Sequence, residues 1–178
     1  MNHPMNQLPE RAISEAEARE ILEVGEYCTV ATVDADGHPY LTPLSYVMDG
    51  DTLYIHTGAA GGQKTQDWQR DPRVCLSVAV DMEPGYFEIG NDPGFFTTRY
   101  ASVIARGTVR LVEDIATVRM VLAKLCLKYS PEFKHEIGGA IDRELSVTSV
   151  WAIDLAEISG KAGRRERNGK GVVASALC

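Results

Sequence analysis

The chain has 178 residues and a mass of 19.5 kDa, enough for one domain with a real core. Its composition, 44% hydrophobic and 24% charged, is that of an ordinary globular protein, and a net charge of −7 argues against a general nucleic-acid-binding surface, which needs a basic face. No apolar run approaches the roughly 20 residues needed to span a bilayer, and "MNHPMNQLPERAISEAE" lacks the apolar segment of a secretion signal, so a cytoplasmic protein is expected.

Residues 1–13 read as an N-terminal tail. Ser14 and Glu17 then form an S-x-x-E capping box, and Ala18, Ile21 and Leu22 supply the apolar face of a helix. Gly25 stands where a left-handed C-cap is expected. A dense strand region follows. "EYCTVATV" runs into the turn "DADGH", "PYLTPLSYVM" runs into "DGD", and "TLYIHT" closes the group. Three strands and two short turns make an antiparallel meander. Pro39 fits a strand start, whereas Pro43 needs an edge or a bulge, because neither can donate to the ladder.

"GGQKTQDWQRD" reads as a short helix ended by Pro72, and "RVCLSVAV" as a buried strand. Residues 81–98, with glycines and prolines on a polar-aromatic background, read as a long loop or a loosely paired excursion. In "RYASVIARGTVRLVED" the residues Ala101, Val103, Ala105, Val109 and Leu111 share one face of a strand. Ile115, Val118, Leu122, Leu125 and Tyr129 mark a helix with Asp114 as N-cap and Pro131 as terminator. "SVTSVWAIDLAEISG" is the last strand. The tally is about six strands and three or four helices. Mostly antiparallel order favours a barrel or closed sheet with flanking helices over a parallel wound sheet.

No nucleophile elbow, Walker loop or zinc motif is present, and the four cysteines lack metal-ligand spacing, so no metal site is expected. Cys28 and Cys75 read as buried small hydrophobes in a reducing compartment. His3, His38 and His135 fall in a tail, a turn and a helix surface. His56 sits where a strand enters a loop of small residues; from chemistry alone it is a hydrogen-bonded strand end or a reactive group. Gly58, Gly61 and Gly62 let backbone amides converge, the next helix aims its positive end the same way, and Lys64 adds a mobile cation. Those residues suit a phosphate, or form a plain glycine turn. Lys161, Arg164, Arg165, Arg167 and Lys170 against Glu166 give +4 from residue 161 onward, leaving −11 before it. Such an end is a solvated terminus or a segment that folds back on an anionic ligand.

The ordered set "ATVDADGHPY", "PLSYV", "DGDTLYIHT", the small-residue loop with lysine, and "DPRVC" resembles the FMN-binding split barrel of the pyridoxamine 5'-phosphate-oxidase-like proteins. Within it the chain is most similar to the nitroimidazole-resistance, nitroreductase-like subgroup. The resemblance covers roughly residues 14 to 161, leaving 162–178 as a basic C-terminal tail. It implies a mainly β fold with flanking helices, a six-stranded antiparallel split β-barrel. Two chains would pair and hold two FMN molecules at their interface. Thr42, Pro43, Leu44 and Ser45 match the strand along the isoalloxazine. His56 and Thr57 match the strand end that reaches ring and ribityl chain, with His56 positioning or protonating the substrate. Gly62, Gln63 and Lys64 match the phosphate loop, and Ser102 a position reaching the flavin from the partner chain. Lys161 and the arginines near it are candidates to close over the phosphate.

Gln63 stands where the vitamin B6 oxidases carry arginine, and the histidine of their C-terminal substrate segment is missing, so pyridoxamine-phosphate oxidation is not expected. The implied activity passes electrons from a reduced donor to a small acceptor such as a nitro compound. A flavin-binding sensor or storage module without turnover is the alternative, as is a relative that holds haem or a deazaflavin in the same groove.

Overall fold

The computed structural model describes residues 9–87 and 94–163. The C-terminal arginines expected near a phosphate, the middle of the expected 81–98 loop, and His3 lie outside the described residues. One sheet contains seven strands: β1 (Ala12–Ile13), β2 (Tyr27–Val33), β3 (Pro39–Asp49), β4 (Thr52–Gly58), β5 (Arg73–Phe87), β6 (Phe95–Leu111) and β7 (Thr148–Ala162). The hydrogen-bonded order is β1-β7-β4-β3-β2-β5-β6, and a further β7–β6 pairing returns it on itself, the ring expected of a split barrel. The count exceeds the expected six because the two-residue β1 forms inside the stretch read as a tail.

The chain divides into two compact units. The first comprises Met1–Gly25, Ser77–Ala105 and Glu157–Cys178, the second Glu26–Leu76 and Arg106–Ala156. In the first, helix α1 (Glu15–Val24) starts on the expected capping box. The Glu17 amide donates to Ser14 Oγ at 3.2 Å and the Ser14 amide to Glu17 Oε2 at 2.8 Å. Ala18, Ile21 and Leu22 are fully buried. Gly25 is not the left-handed cap expected. Its φ is −63° with extended ψ, so the helix ends by simply straightening. β1 pairs with the end of β7, where a Cβ on Gly160 would lie 2.5 Å from Ile13 Cγ1. Of the stretch 81–98, expected as a loop or a loosely paired excursion, the described residues are nearly all strand: β5 continues to Phe87 and β6 begins at Phe95. Ladder pairing along neighbouring strands outweighs the weak strand propensity of their glycines and prolines.

In the second unit the meander forms as expected. The β2–β3 turn is held by the Asp34 carboxylate, which accepts from the amides of Asp36 at 2.9 Å and His38 at 2.8 Å, with Gly37 at φ +85°. Gly50, at φ +60°, opens the two-residue β3–β4 turn. Helices α3 (Ile115–Tyr129) and α4 (Ile137–Glu144) cover one sheet face. There Val118, Val121, Leu122, Leu125 and Ile141 pack on Val47, Tyr54, Val150 and Ala152. Asp114 caps α3, accepting from the Thr117 amide at 2.8 Å. Two residues depart from the expected apolar faces: Leu111 is 46% and Ile115 56% exposed, while Val112 is buried. β6 ends at Leu111, so the strand alternation stops there. Cys28 is buried, and burial pushes its thiol up to about 12; Cys75 is only half-buried. No described helix is long and apolar enough to cross a membrane.

Tyr129, at the end of α3, closes the β2–β3 ladder just before β2 begins. Its hydroxyl accepts from the Tyr46 amide at 2.9 Å and reaches the carbonyls of Tyr46 and Glu26. Tyr129→Phe removes all of these hydrogen bonds, so we expect a loss of about 1–3 kcal/mol in chemical denaturation, with the far-ultraviolet spectrum unchanged.

Candidate functional site

The second unit contains a fork between β3 and β4. These strands pair from Tyr46↔Ile55 to Asp49↔Thr52. Beyond Tyr46, β3 pairs with β2, from Tyr27↔Ser45 to Val33↔Pro39. Beyond Ile55, β4 stays with β7, through His56↔Val150 to Gly58↔Thr148. Thr42, Pro43, Leu44 and Ser45 thus form one lip, and His56 and Thr57 the other. Pro43 is accommodated because its segment of β3 has no β4 neighbour, the edge position its missing N–H requires.

Strand alternation divides these six residues between two faces. His56 shares the face of Tyr54, Val150 and Ala152, the one α3 and α4 cover, yet is itself exposed. Ser45 and Pro43 lie on the same face through Val47. Thr42, Leu44 and Thr57 lie on the other. Thr57 is buried, and its hydroxyl accepts from Trp151 Nε1 at 3.1 Å, so its side chain cannot turn toward His56 without breaking that bond. The Thr42 hydroxyl oxygen is buried without a hydrogen-bond partner among the described residues, an orphan in the strand segment that has lost its neighbour.

After β4 the chain makes the small-residue turn and enters α2 (Gln63–Arg70). Gly61, at φ +72°, donates its amide to Gly58 O at 3.0 Å, and a Cβ there would stand 2.6 Å from Thr65 Oγ1. The Ala59 amide goes to Val147 O at 2.8 Å, and the Gly62 amide to Thr65 Oγ1 at 2.8 Å. Most of the loop amides expected to converge on a ligand are therefore committed within the fold. What remains is the start of the helix, where the amides of Gln63 and Lys64 have no acceptor among the described residues. Gln63 is exposed and Lys64 half-buried, and among the described residues Lys64 makes no ion pair. The imidazole of His56 is held below its ordinary pKa, first by partial burial and then by the Lys64 charge. The lip thus carries an imidazole, an ammonium and a helix N-terminus together, a setting for an anion beside a hydrogen-bonding ring.

Groups the sequence reading missed hold α2 in place. Asp67 is buried and accepts from Thr32 Oγ1 on β2 at 3.1 Å and from Arg70 at 3.1 Å. Trp68 packs on Trp151 with ring centroids 5.2 Å apart. Nothing distinguishes Asp67 from its polar neighbours in "QKTQDWQRD"; only its spacing of three from Arg70 hints at a pair.

Ser102 and Lys161 belong to the first unit and meet there: Ser102 Oγ donates to Lys161 O at 3.5 Å. Both are half-buried.

The sequence profile of the pyridoxamine 5'-phosphate oxidase family matches residues 14–162. No curated protein matches the chain. Among solved structures, a proposed 5-nitroimidazole antibiotic resistance protein from Bacteroides thetaiotaomicron is 23% identical, with 85% of this chain and 86% of that one covered and a TM-score of 0.69. A FAD- and haem-binding protein from Mycobacterium smegmatis is 23% identical, with 93% and 80% covered and a TM-score of 0.71. A flavocytochrome from Azotobacter vinelandii is 20% identical, with 93% and 77% covered and a TM-score of 0.70. At such identities the likeness concerns the fold. The profile spans most of the chain, and the fork, the basic lip and strands β2 to β7 lie within the matched residues: the chain belongs to the pyridoxamine 5'-phosphate oxidase family.

Proposed function

We propose that the protein is an FMN-dependent oxidoreductase that passes electrons from a reduced donor to a small acceptor such as a nitro compound. The observation that carries this reading is the fork between β3 and β4, with His56 on one lip beside the open start of α2 and Lys64. The residues fit the cofactor: among the described residues, two amides without acceptors and one cation for a phosphate, and a strand lip with an unpartnered hydroxyl at Thr42. The names of the structural neighbours, which include flavin- and haem-binding proteins, support a flavin over an unrelated ligand.

Bound FMN would supply one- and two-electron transfer. Lys64 and the amides of Gln63 and Lys64 hold the phosphate, and the backbone of Thr42–Ser45 lines the ring. His56 donates a hydrogen bond to the acceptor and passes it a proton from the imidazole. A second copy of the chain completes the site. The face of β2 and early β3 that carries Tyr27, Thr29, Ala31, Val33, Pro39, Leu41 and Pro43 has no charged residue, and Tyr27, Val33 and Leu41 are 50% or more exposed. That face suits a homodimer interface, to which Ser102 and Lys161 would bring further contacts. The cytoplasm, where reduced nicotinamide donors are available, is the proposed place of action.

The test is the spectrum of the purified full-length protein, taken with its molecular mass in solution. We expect oxidised-flavin absorbance, FMN released on denaturation, a dimer, and bleaching by a reduced donor that a nitro compound reverses. A colourless protein that binds no added FMN overturns the reading. Colour without acceptor-dependent reoxidation leaves the binding module, and a Soret band the haem-binding relative.

A further inference from the structure

Asp67 is a carboxylate buried inside a helix of eight residues whose other polar side chains are mostly exposed. Burial of an ionised group costs stability unless it is paired and fully hydrogen-bonded, and an apolar residue would seat the helix at lower cost. Its partners are directional. Thr32, 4% exposed on β2, donates to Oδ2 at 3.1 Å, and Arg70 donates to Oδ1 at 3.1 Å. The same Arg70 guanidinium also donates to the carbonyl of Val33, at the end of β2. Asp67 therefore ties α2 to β2 at two points along the strand. Apolar packing, such as that of Trp68 on Trp151, lets a short helix slide or rotate; a fork of hydrogen bonds from a fixed strand does not. One turn ahead of Asp67 lies Lys64, with the open amides of Gln63 and Lys64.

We propose that Asp67 is a positioning residue for anion binding: through Thr32 and Arg70 it fixes the rotation and advance of α2, so that the amides of Gln63 and Lys64 and the Lys64 ammonium converge on one phosphate group. This rests on the FMN reading for the identity of the ligand, but not for the geometry of the helix start. The role is separable from stability, because only the phosphate half of a flavin would register it.

The experiment compares FMN and riboflavin binding to the full chain by fluorescence quenching, for the wild type, Asp67→Asn and Thr32→Val. We expect each variant to lose about tenfold in the ratio of FMN to riboflavin affinity, with riboflavin affinity itself little changed. Equal weakening of both flavins, or no change in the ratio, overturns the proposal. Thr32→Val removes the strand partner but leaves the Asp67–Arg70 pair, so it serves where Asp67→Asn fails to fold. Amide chemical-shift titration with inorganic phosphate separates the two readings. A wild type that binds neither flavin defeats the FMN reading alone, provided phosphate still shifts the Gln63 and Lys64 amides and the variants abolish those shifts. Absence of shifts in the wild type, or shifts that survive in the variants, defeats the positioning role.

Discussion

Replacing His56 with asparagine is expected to lower acceptor reduction by roughly 10²- to 10⁴-fold while FMN stays bound with nearly wild-type affinity. His56 is exposed on the lip of the fork, and its side chain makes no hydrogen bond among the described residues, so its loss removes little from the fold. Asparagine keeps a hydrogen-bond donor but cannot carry a proton, which separates positioning from proton transfer. The pH profile sharpens the test. Partial burial, and then the Lys64 charge, lower the imidazole pKa, so His56 takes up its proton at a lower pH than an ordinary imidazole. A step that draws a proton from His56 therefore speeds up as pH falls toward that pKa and levels off below it. His56→Asn shows neither the rise nor the plateau. A variant that retains the full rate with the same profile removes His56 from the chemistry.

Lys64→Gln should weaken FMN roughly 10- to 100-fold and leave riboflavin unchanged. A charge-assisted hydrogen bond to phosphate contributes about 1.5–3 kcal/mol, which converts to that factor. The loss falls wholly on Lys64 because its neighbour Gln63 is uncharged and exposed. The affinity of the wild type should also drop with added salt, since a half-buried pair is screened in part. Gln63→Arg is expected to act in the opposite sense. Isothermal titration of the variants with both flavins decides it; equal loss of FMN and riboflavin affinity would place Lys64 outside the phosphate contact. Removing Lys64 also takes away the second cause that depresses His56, so the acid limb of the pH profile moves upward in this variant.

The meander of β2, β3 and β4 was legible because local signals agree with the tertiary answer there. Turn residues Gly37 and Gly50 take the positive φ their turns require, and Cys28, Val30 and Thr32 alternate inward along β2. The capping box of α1 and the Asp114 cap of α3 were legible for the same reason: each is a contact between residues three apart. The family was recognisable from the order of these signals, although no single one is specific. The segment 81–98, whose glycines and prolines speak for a loop or a loosely paired excursion, gives strand at 81–87 and 95–98 because β5 and β6 are hydrogen-bonded neighbours in the sheet, a pairing that residue type alone does not specify.

The candidate site divides along the same line. Sequence by itself determined which chemistry is at hand, an imidazole, an ammonium and a glycine turn within nine residues, because residue type and short spacing are local properties. Tertiary structure alone decided how they are arranged. It parted β3 from β4, left His56 exposed and set Thr57 against Trp151, and spent the Gly62 amide on Thr65. It also buried Asp67 against Thr32, 35 residues away in the chain. Strand pairing, face alternation and buried hydrogen bonds between distant residues depend on which segments become neighbours, and no local pattern encodes that.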